Sequence, residues 1–203
     1  MQLKHEMGIE YESLTSEDLM HLIMAEDKNA FRVLISRHTD AVYKVIYKFI
    51  GNEEEANDLA QEVFLRIWRF SKRYQPTSKF TTWLYTITAN VCKTEVQSLW
   101  RRNIRLIGSL WSADDNDDQK FPEPASPLLS PESAAIQAQQ SHLVRSAIRS
   151  LPHKQRLALV LSRYEELPYQ EIATVLGCSV PAVEALLARA KASLQKKLAP
   201  HQK

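Results

Sequence analysis

Leu167–Leu198 reads LPYQEIATVLGCSVPAVEALLARAKASLQKKL, and its punctuation predicts two helices joined by a tight turn. Pro168 suits the first turn of a helix, where its missing N–H would have no partner anyway. Ile172, Ala173 and Leu176 then face inward at helical spacing, and Gly177 ends the helix where a positive φ is often needed. Ser179 is placed to cap the next helix, with Pro181 in its first turn. Val183, Leu187, Ala190, Leu194 and Leu198 recur as one apolar stripe along that longer helix.

A small residue at Ala173, Gly177 four further on and Val183 six beyond that let two helices cross closely. This is the packing logic of a helix-turn-helix, whose second helix lies in the DNA major groove. An ordinary helical hairpin buried in a core is the bland alternative. Small and polar residues on the outer face, and cations at the helix end, favour DNA binding.

A chain of 203 residues, 44% hydrophobic and 25% charged, can bury one or two modest cores. Glycines are few and alternating β-branched runs are absent, so the expected fold class is all-α. The formal charge of +2 conceals an uneven distribution. Between Ser112 and Ser133, six acids (Asp114, Asp115, Asp117, Asp118, Glu123, Glu132) face only Lys120, whereas Arg189–Lys203 carries five cations and no acid. A basic surface is therefore available for phosphates. Cys92 and Cys178 stand alone in helical patterns, without metal-ligand spacing, so reduced thiols are expected rather than a disulfide or zinc site. No apolar run reaches membrane-spanning length and no secretory signal opens the sequence, which predicts a cytoplasmic protein.

Working toward the N-terminus from the helix-turn-helix, Leu157, Val160, Leu161 and Tyr164 mark a helix after Pro152. Ile136, Leu143, Val144, Ala147, Ile148 and Leu151 mark another before it. Residues 108–135, with their acids and PEPASPLLSP, have little to bury and read as an extended linker. Lying over a basic surface, such a linker would weaken non-specific DNA binding.

In the first half, Met1–Leu14 reads as a polar, mobile tail, and a short helix runs from Ser16 to about Ala25. A second helix (Phe31, Leu34, Ile35, Val42, Val45, Ile46, Phe49) closes at Gly51. Asn52 caps the third, and Glu53, Glu54 and Glu55 compensate its dipole rather than bind metal. That helix, through about Phe70, has two faces. Ala56, Leu59, Ala60, Val63, Phe64 and Ile67 form a core stripe, while Asp58, Gln61, Glu62, Leu65 and Arg69 fall opposite. A single exposed Leu needs no explanation, yet one framed by Asp, Gln, Glu and Arg also suits the centre of a protein contact.

Beyond Pro76, a long helix is expected from about Thr81 to Arg102, with Leu84, Ile87, Val91, Val96 and Leu99 inside. Asn90, Lys93, Thr94, Gln97 and Arg101 share an outer face, with Arg102 and Arg105 just beyond. Amides, hydroxyls and guanidiniums are the groups that read base edges and phosphates, although a merely solvated face fits the same residues. Trp83 and Tyr85 suit the core; Trp100, among arginines, is the better stacking candidate.

Three segments together resemble the extracytoplasmic-function sigma factors of the sigma-70 family: DLAQEVFLRIW (Asp58–Trp68), FTTWLYTITANVCK (Phe80–Lys93) and SLPHKQRLALVLSRYEELPYQEIATVLGCSVPAVEALLARA (Ser150–Ala190). The resemblance implies two small helical domains joined by a flexible acidic, Pro-rich linker, divided as a tail 1–15, region 2 at 16–107, the linker 108–135 and region 4 at 136–203. It implies that Asp58, Gln61, Glu62, Leu65 and Arg69 meet the β′ clamp helices of core RNA polymerase, and that region 4 meets the β flap. Asn90, Lys93, Thr94, Gln97, Arg101, Arg102 and Arg105 would read the melted −10 element, where strand opening exposes base edges. Ser179, Ala182, Glu184, Ala185, Arg189 and Lys191 would serve the −35 element. A cognate anti-sigma factor, often membrane-anchored in this family, is implied as a further partner, and no cofactor.

The recognition helix departs from the usual pattern. Gly-Thr-Val followed by basic and polar residues is common there, but this chain has Pro181-Ala182-Val183-Glu184-Ala185-Leu186. Glu184 repels phosphate but accepts from a cytosine amino group, and Ala182 or Ala185 suits a thymine methyl. A free-standing repressor or activator would account for the helix-turn-helix but requires neither polar face of the first half. A nucleic-acid enzyme would need a metal cluster, P-loop or nucleophile elbow that the sequence lacks.

Overall fold

The computed structural model describes residues 10–107 and 131–201, with side chains described for 10–98 and 139–200. The described residues form eight α-helices and no strand, so the expected all-α architecture stands. In chain order these are α1 (Ser16–Met24), α2 (Lys28–Ile50), α3 (Glu53–Phe70), α4 (Phe80–Ile107), α5 (Pro131–Arg149), α6 (His153–Arg163), α7 (Tyr169–Leu176) and α8 (Val180–Leu198).

Local chemistry sets the boundaries. Thr15 and Asp18 make a reciprocal capping box that starts α1. The Asp27 carboxylate caps α2 by accepting from the amides of Asn29 and Ala30. Gly51 ends α2 at φ 86°, a left-handed position, and Asn52 then accepts from the Glu55 amide to open α3. The α4 N-terminus is capped from a distance: the Phe80 amide donates to Glu17 of α1 at 2.7 Å.

Several sequence expectations are corrected here. Tyr11–Ser13 are not a loose tail but a 3-10 turn, held because Arg37 donates to the carbonyls of Leu14 and Glu12 and Tyr11 donates to Asp27; residues 1–9 lie outside the described residues. Helix α5 begins at Pro131, so 131–135 belong to a helix rather than to the linker, Pro131 supplying a first-turn proline that needs no donor. The rest of the linker lies outside the described residues. Pro168 sits one residue before α7, as its N-cap. Val144 and Tyr164 are exposed rather than core, and Lys48 lies over the Tyr164 ring at 4.9 Å.

Helix α2 is the central post, packed by α1, α3 and α4 on one side and by α5 and α6 on another. Leu34, Val42, Val45, Ile46 and Phe49 are sealed along it, against Ala56, Val63 and Ile67 of α3. Full burial of a Val, Ile or Phe contributes about 1.5–3 kcal/mol, so these stripes dominate the stability of the first half. The two halves do not keep separate cores. Helix α7 lies on α4, α6 touches both α2 and α4, and one continuous cluster runs from Leu19 through Cys92 to Leu157, Ile172 and Val183.

His38 is packed into this frame. Its Nε2 lies 2.8 Å from Ser16 Oγ, and its ring is 5.0 Å from that of Phe80. Burial, and then the neighbouring Arg37 charge, holds the imidazole below its ordinary range. The unfolded chain therefore takes up this proton first as pH falls below about 6.5, and the native state loses stability there. Wild-type urea midpoints are expected to drop more steeply between pH 7 and pH 5 than those of His38→Asn. Parallel curves would refute the assignment.

Candidate protein and nucleic-acid interfaces

The outer face of α3 is built by its own periodicity. With Ala56, Ala60, Val63, Phe64 and Ile67 turned into the core, Asp58, Gln61, Leu65 and Arg69 are left exposed and Glu62 half-buried. Leu65 is 55% exposed, the largest value among the exposed large hydrophobic side chains of the described residues. Glu62 is steadied by Arg66, whose Nε donates to it at 2.7 Å across one helical turn. Beside Leu65 a recess of about 360 Å³ opens between α1, α3 and the 3-10 turn after α3, lined by Ile23, Glu26, Trp68, Arg69, Ser71 and Lys72. Lys72 pairs with Glu26 at its rim at 2.7 Å and holds that carboxyl below the usual range. Sequence reading missed this recess, because its walls come from three elements that only the folded α1–α3 packing brings together.

Along α4, Asn90, Lys93, Thr94 and Gln97 are all exposed on one side, as the helical spacing predicts. The Thr94 hydroxyl donates to the Asn90 carbonyl at 2.8 Å, so its oxygen faces outward chiefly as an acceptor. The helix continues to Ile107, carrying the backbone of Trp100, Arg101, Arg102 and Arg105; their side chains lie outside those described. Trp83 packs with Tyr74 and Phe80, and Tyr85 is 5% exposed, so neither is a stacking platform.

The other half supplies the helix-turn-helix. Gly177 at φ 61° ends α7, and α8 leaves at 95° to it, inside the range typical of this motif. Val183 and Ala190 seat α8 on the core, as the apolar stripe predicts, and leave its opposite side open. Ser179, Glu184, Arg189 and Lys191 are exposed, while Ala182 and Ala185 are half-buried. Ser179 takes the N-cap position with an extended backbone, yet its hydroxyl makes no capping hydrogen bond. Glu184 lies beyond the first turn of α8, which holds no acid, so dipole compensation does not account for it. The last turn carries Lys196 and Lys197. The described residues thus present three surfaces: an apolar-centred face on α3, a polar face on α4, and the open side of α8, which bears Glu184.

No single helix among the described residues is long and apolar enough to cross a membrane. No group of three His, Cys, Asp or Glu among them is placed to hold a metal ion.

Comparison with known proteins matches the chain to two family descriptions: Sigma-70 region 2 over residues 34–102, and Sigma-70, region 4 over residues 141–194. Among curated relatives, the RNA polymerase sigma-H factor of Pseudomonas aeruginosa is 31% identical over 184 residues, covering 91% of this chain and 94% of that one. The ECF RNA polymerase sigma-E factor of Escherichia coli K12 is 26% identical over 189 residues, covering 93% and 97%. Two solved structures share the fold. CnrH in complex with the cytosolic domain of CnrY gives a TM-score of 0.64 at 23% identity, over 93% of this chain and 99% of that one. The sigma factor RpoE in complex with the anti-sigma factor NepR, from Bartonella quintana, gives 0.64 at 19%, over 83% and 96%.

Proposed function

Because the chain belongs to the extracytoplasmic-function sigma factors of the sigma-70 family, which bind core RNA polymerase, recognise −10 and −35 promoter elements and direct initiation, we propose how its own surfaces divide that work. The first half, 16–107, serves as region 2 and the second, 136–203, as region 4. Leu65, framed by Asp58, Gln61, Glu62 and Arg69, docks on the clamp helices of β′. The observation that carries this reading is the exposure of that leucine at the middle of an otherwise polar face. The open face of α4 (Asn90, Lys93, Thr94, Gln97) takes unpaired bases of the −10 strand, with Arg101, Arg102 and Arg105 following on the same helix.

Region 4 docks on the β flap and seats α8 in the major groove at −35. There Glu184 accepts from a cytosine amino group and Ala182 and Ala185 meet thymine methyls, beside Ser179 at the helix start. Arg189 and Lys191 hold backbone phosphates. The chain acts in the cytoplasm without catalysis of its own, bond formation belonging to the polymerase, and no cofactor enters the scheme. A cognate anti-sigma factor holds the chain inactive, a reading supported by a fold neighbour solved in complex with such a partner.

The direct test is run-off transcription with purified core polymerase on a promoter from the gene's own neighbourhood. A transcript that requires both chain and core is expected; duplex binding by the chain alone, with no transcript, would sink the reading. Asn90→Ala is expected to cut transcription about 5- to 150-fold, the cost of roughly 1–3 kcal/mol for one lost base contact. The cut should shrink when the −10 sequence is scrambled on a pre-melted template. Equal loss on both templates would count against base reading.

A further inference from the structure

We propose that Glu17 of α1 is a positioning residue for −10 reading: by holding the first amide of α4, it fixes the angle at which Asn90 and its neighbours meet the unpaired strand. The inference rests on the role given to α4 above.

Helix α4 cannot cap its own start. The Lys79 carbonyl accepts from the amides of Thr82 and Trp83, but a lysine side chain offers no acceptor and the first turn of α4 holds no acid. The Phe80 amide, on a residue 1% exposed, would then be buried without a partner. Glu17 supplies the missing acceptor from 63 positions away, its Oε1 taking the bond at 2.7 Å. Helix α1 does not need that carboxylate, since Thr15 and Asp18 already satisfy each other at its N-terminus. Glu17 is accordingly half-buried, where Asp18 beside it is exposed. The same turn of α1 is tied to α2, because Ser16 Oγ lies 2.8 Å from His38 Nε2, and the His38 ring packs on that of Phe80. Tyr74 and Trp83 add further ring contacts to Phe80, at 6.3 and 6.0 Å. The first residue of α4 is thus held through its backbone by α1 and through its side chain by α2.

A grip at that end has leverage. Helix α4 runs without a break from Phe80 to Ile107, so at 1.5 Å per residue Asn90 stands about 15 Å from the held amide and Thr94 about 21 Å. A tilt of about 5° at the first turn displaces them by roughly 1.3 and 1.8 Å. Hydrogen bonds to base edges tolerate only about 0.5 Å of range, and a displacement of about 1 Å far from the contact can cost on the order of 100-fold. The docking face on α3 is not on this lever. Glu17 lies in the first turn of α1, whereas Ile23, which lines the recess beside Leu65, lies in its last. Core binding and −10 reading should therefore respond differently to its loss.

Run-off transcription at saturating core polymerase, with core affinity measured alongside, tests this through a double-mutant cycle on the full chain. Glu17→Ala is expected to bind core as the wild type does and to lose about 10-fold in transcript. Asn90→Ala should then cost little more in that background, because both substitutions spoil the same base contacts. Glu17→Gln keeps a carbonyl acceptor for the Phe80 amide and should restore most of the transcript. A Glu17→Ala chain that binds core and transcribes like the wild type overturns the proposal. Losses from Glu17→Ala and Asn90→Ala that simply multiply overturn it too, since a cap serving stability alone is indifferent to Asn90. If Glu17→Ala fails to bind core, Glu17→Asp, one methylene too short for the bond, decides by the same outcomes; loss of core binding in both makes Glu17 a folding residue and also overturns the proposal. An Asn90→Ala chain that transcribes normally with Glu17 intact would instead sink the −10 reading of α4, whatever Glu17 does.

Discussion

Leu65→Asp is expected to abolish association with core RNA polymerase while leaving the fold unchanged. The leucine is exposed on α3, so its replacement removes no core contact. The local cost is the difference in helix propensity, roughly 0.5 kcal/mol, too small to melt an 18-residue helix capped by Asn52 and pinned by Ala56, Val63 and Ile67. At the interface the same change acts twice. It deletes the apolar anchor at the centre of the face, where truncation of such residues commonly costs about 2–4 kcal/mol, and it adds a charge that must be desolvated. A loss of at least about 100-fold in affinity is expected on that basis. Leu65→Ala, which removes the anchor without the charge, should fall between. Normal co-purification of the Asp variant with core, at unchanged helicity, would remove α3 from the interface.

The recess beside Leu65 marks where sequence reading stops. The α3 face was legible because one helix supplies all of it, and a period of 3.6 sorts its residues without tertiary information. The same holds for Gly177, Ser179 and Pro181, which punctuate α7 and α8 through local backbone requirements. What could not be read pairs residues far apart. Tyr85 meets Glu165 across 80 positions, Glu171 meets Thr82 across 89, and Arg156 meets Phe49 across 107. No periodicity within a helix encodes such partners. The consequence appears in α4, where Leu84, Tyr85 and Val91 are buried as expected, but Ala89 and Cys92 are buried too, because a second wall of α6 and α7 covers that side. Val144 and Tyr164 show the converse: helical spacing assigned them inward, and no neighbour covers them fully.

Arg156→Met is expected to lower the thermal midpoint by on the order of 5–15 °C and to uncouple the two halves. The guanidinium stands where two helix C-termini converge. It donates to the Phe49 carbonyl in the last turn of α2 at 2.7 Å, to the Arg149 carbonyl at the end of α5, and to the Leu151 carbonyl at 3.1 Å. Helix ends leave such carbonyls without partners and concentrate partial negative charge, so one planar cation satisfies several acceptors at once. Its plane also lies 5.0 Å from the Phe49 ring. Burial, opposed by no carboxylate partner, together with the neighbouring Arg149 charge, pulls its pKa below the ordinary arginine range without threatening its charge.

Methionine fills similar volume and relieves that desolvation, so the gain must be set against the loss. Charged hydrogen bonds are worth about 1.5–3 kcal/mol each, and carbonyls left buried and unpaired cost about 1–3. With three carbonyls affected, a net loss of roughly 2–4 kcal/mol is expected, which for a chain of this size corresponds to the stated shift in midpoint at about 2–4 °C per kcal/mol. Arg156→Lys should fall between, since a single ammonium cannot span three carbonyls in one plane. Of the arginine's three bonds only the one to Phe49 crosses between halves, and its loss is expected to let calorimetry resolve two transitions in the methionine variant where the wild type gives one. Buried cations elsewhere have been replaced by apolar residues at no cost. A methionine variant that melts at or above the wild-type midpoint in one transition would mean that apolar packing of α6 on α2, and not the arginine, holds the halves together.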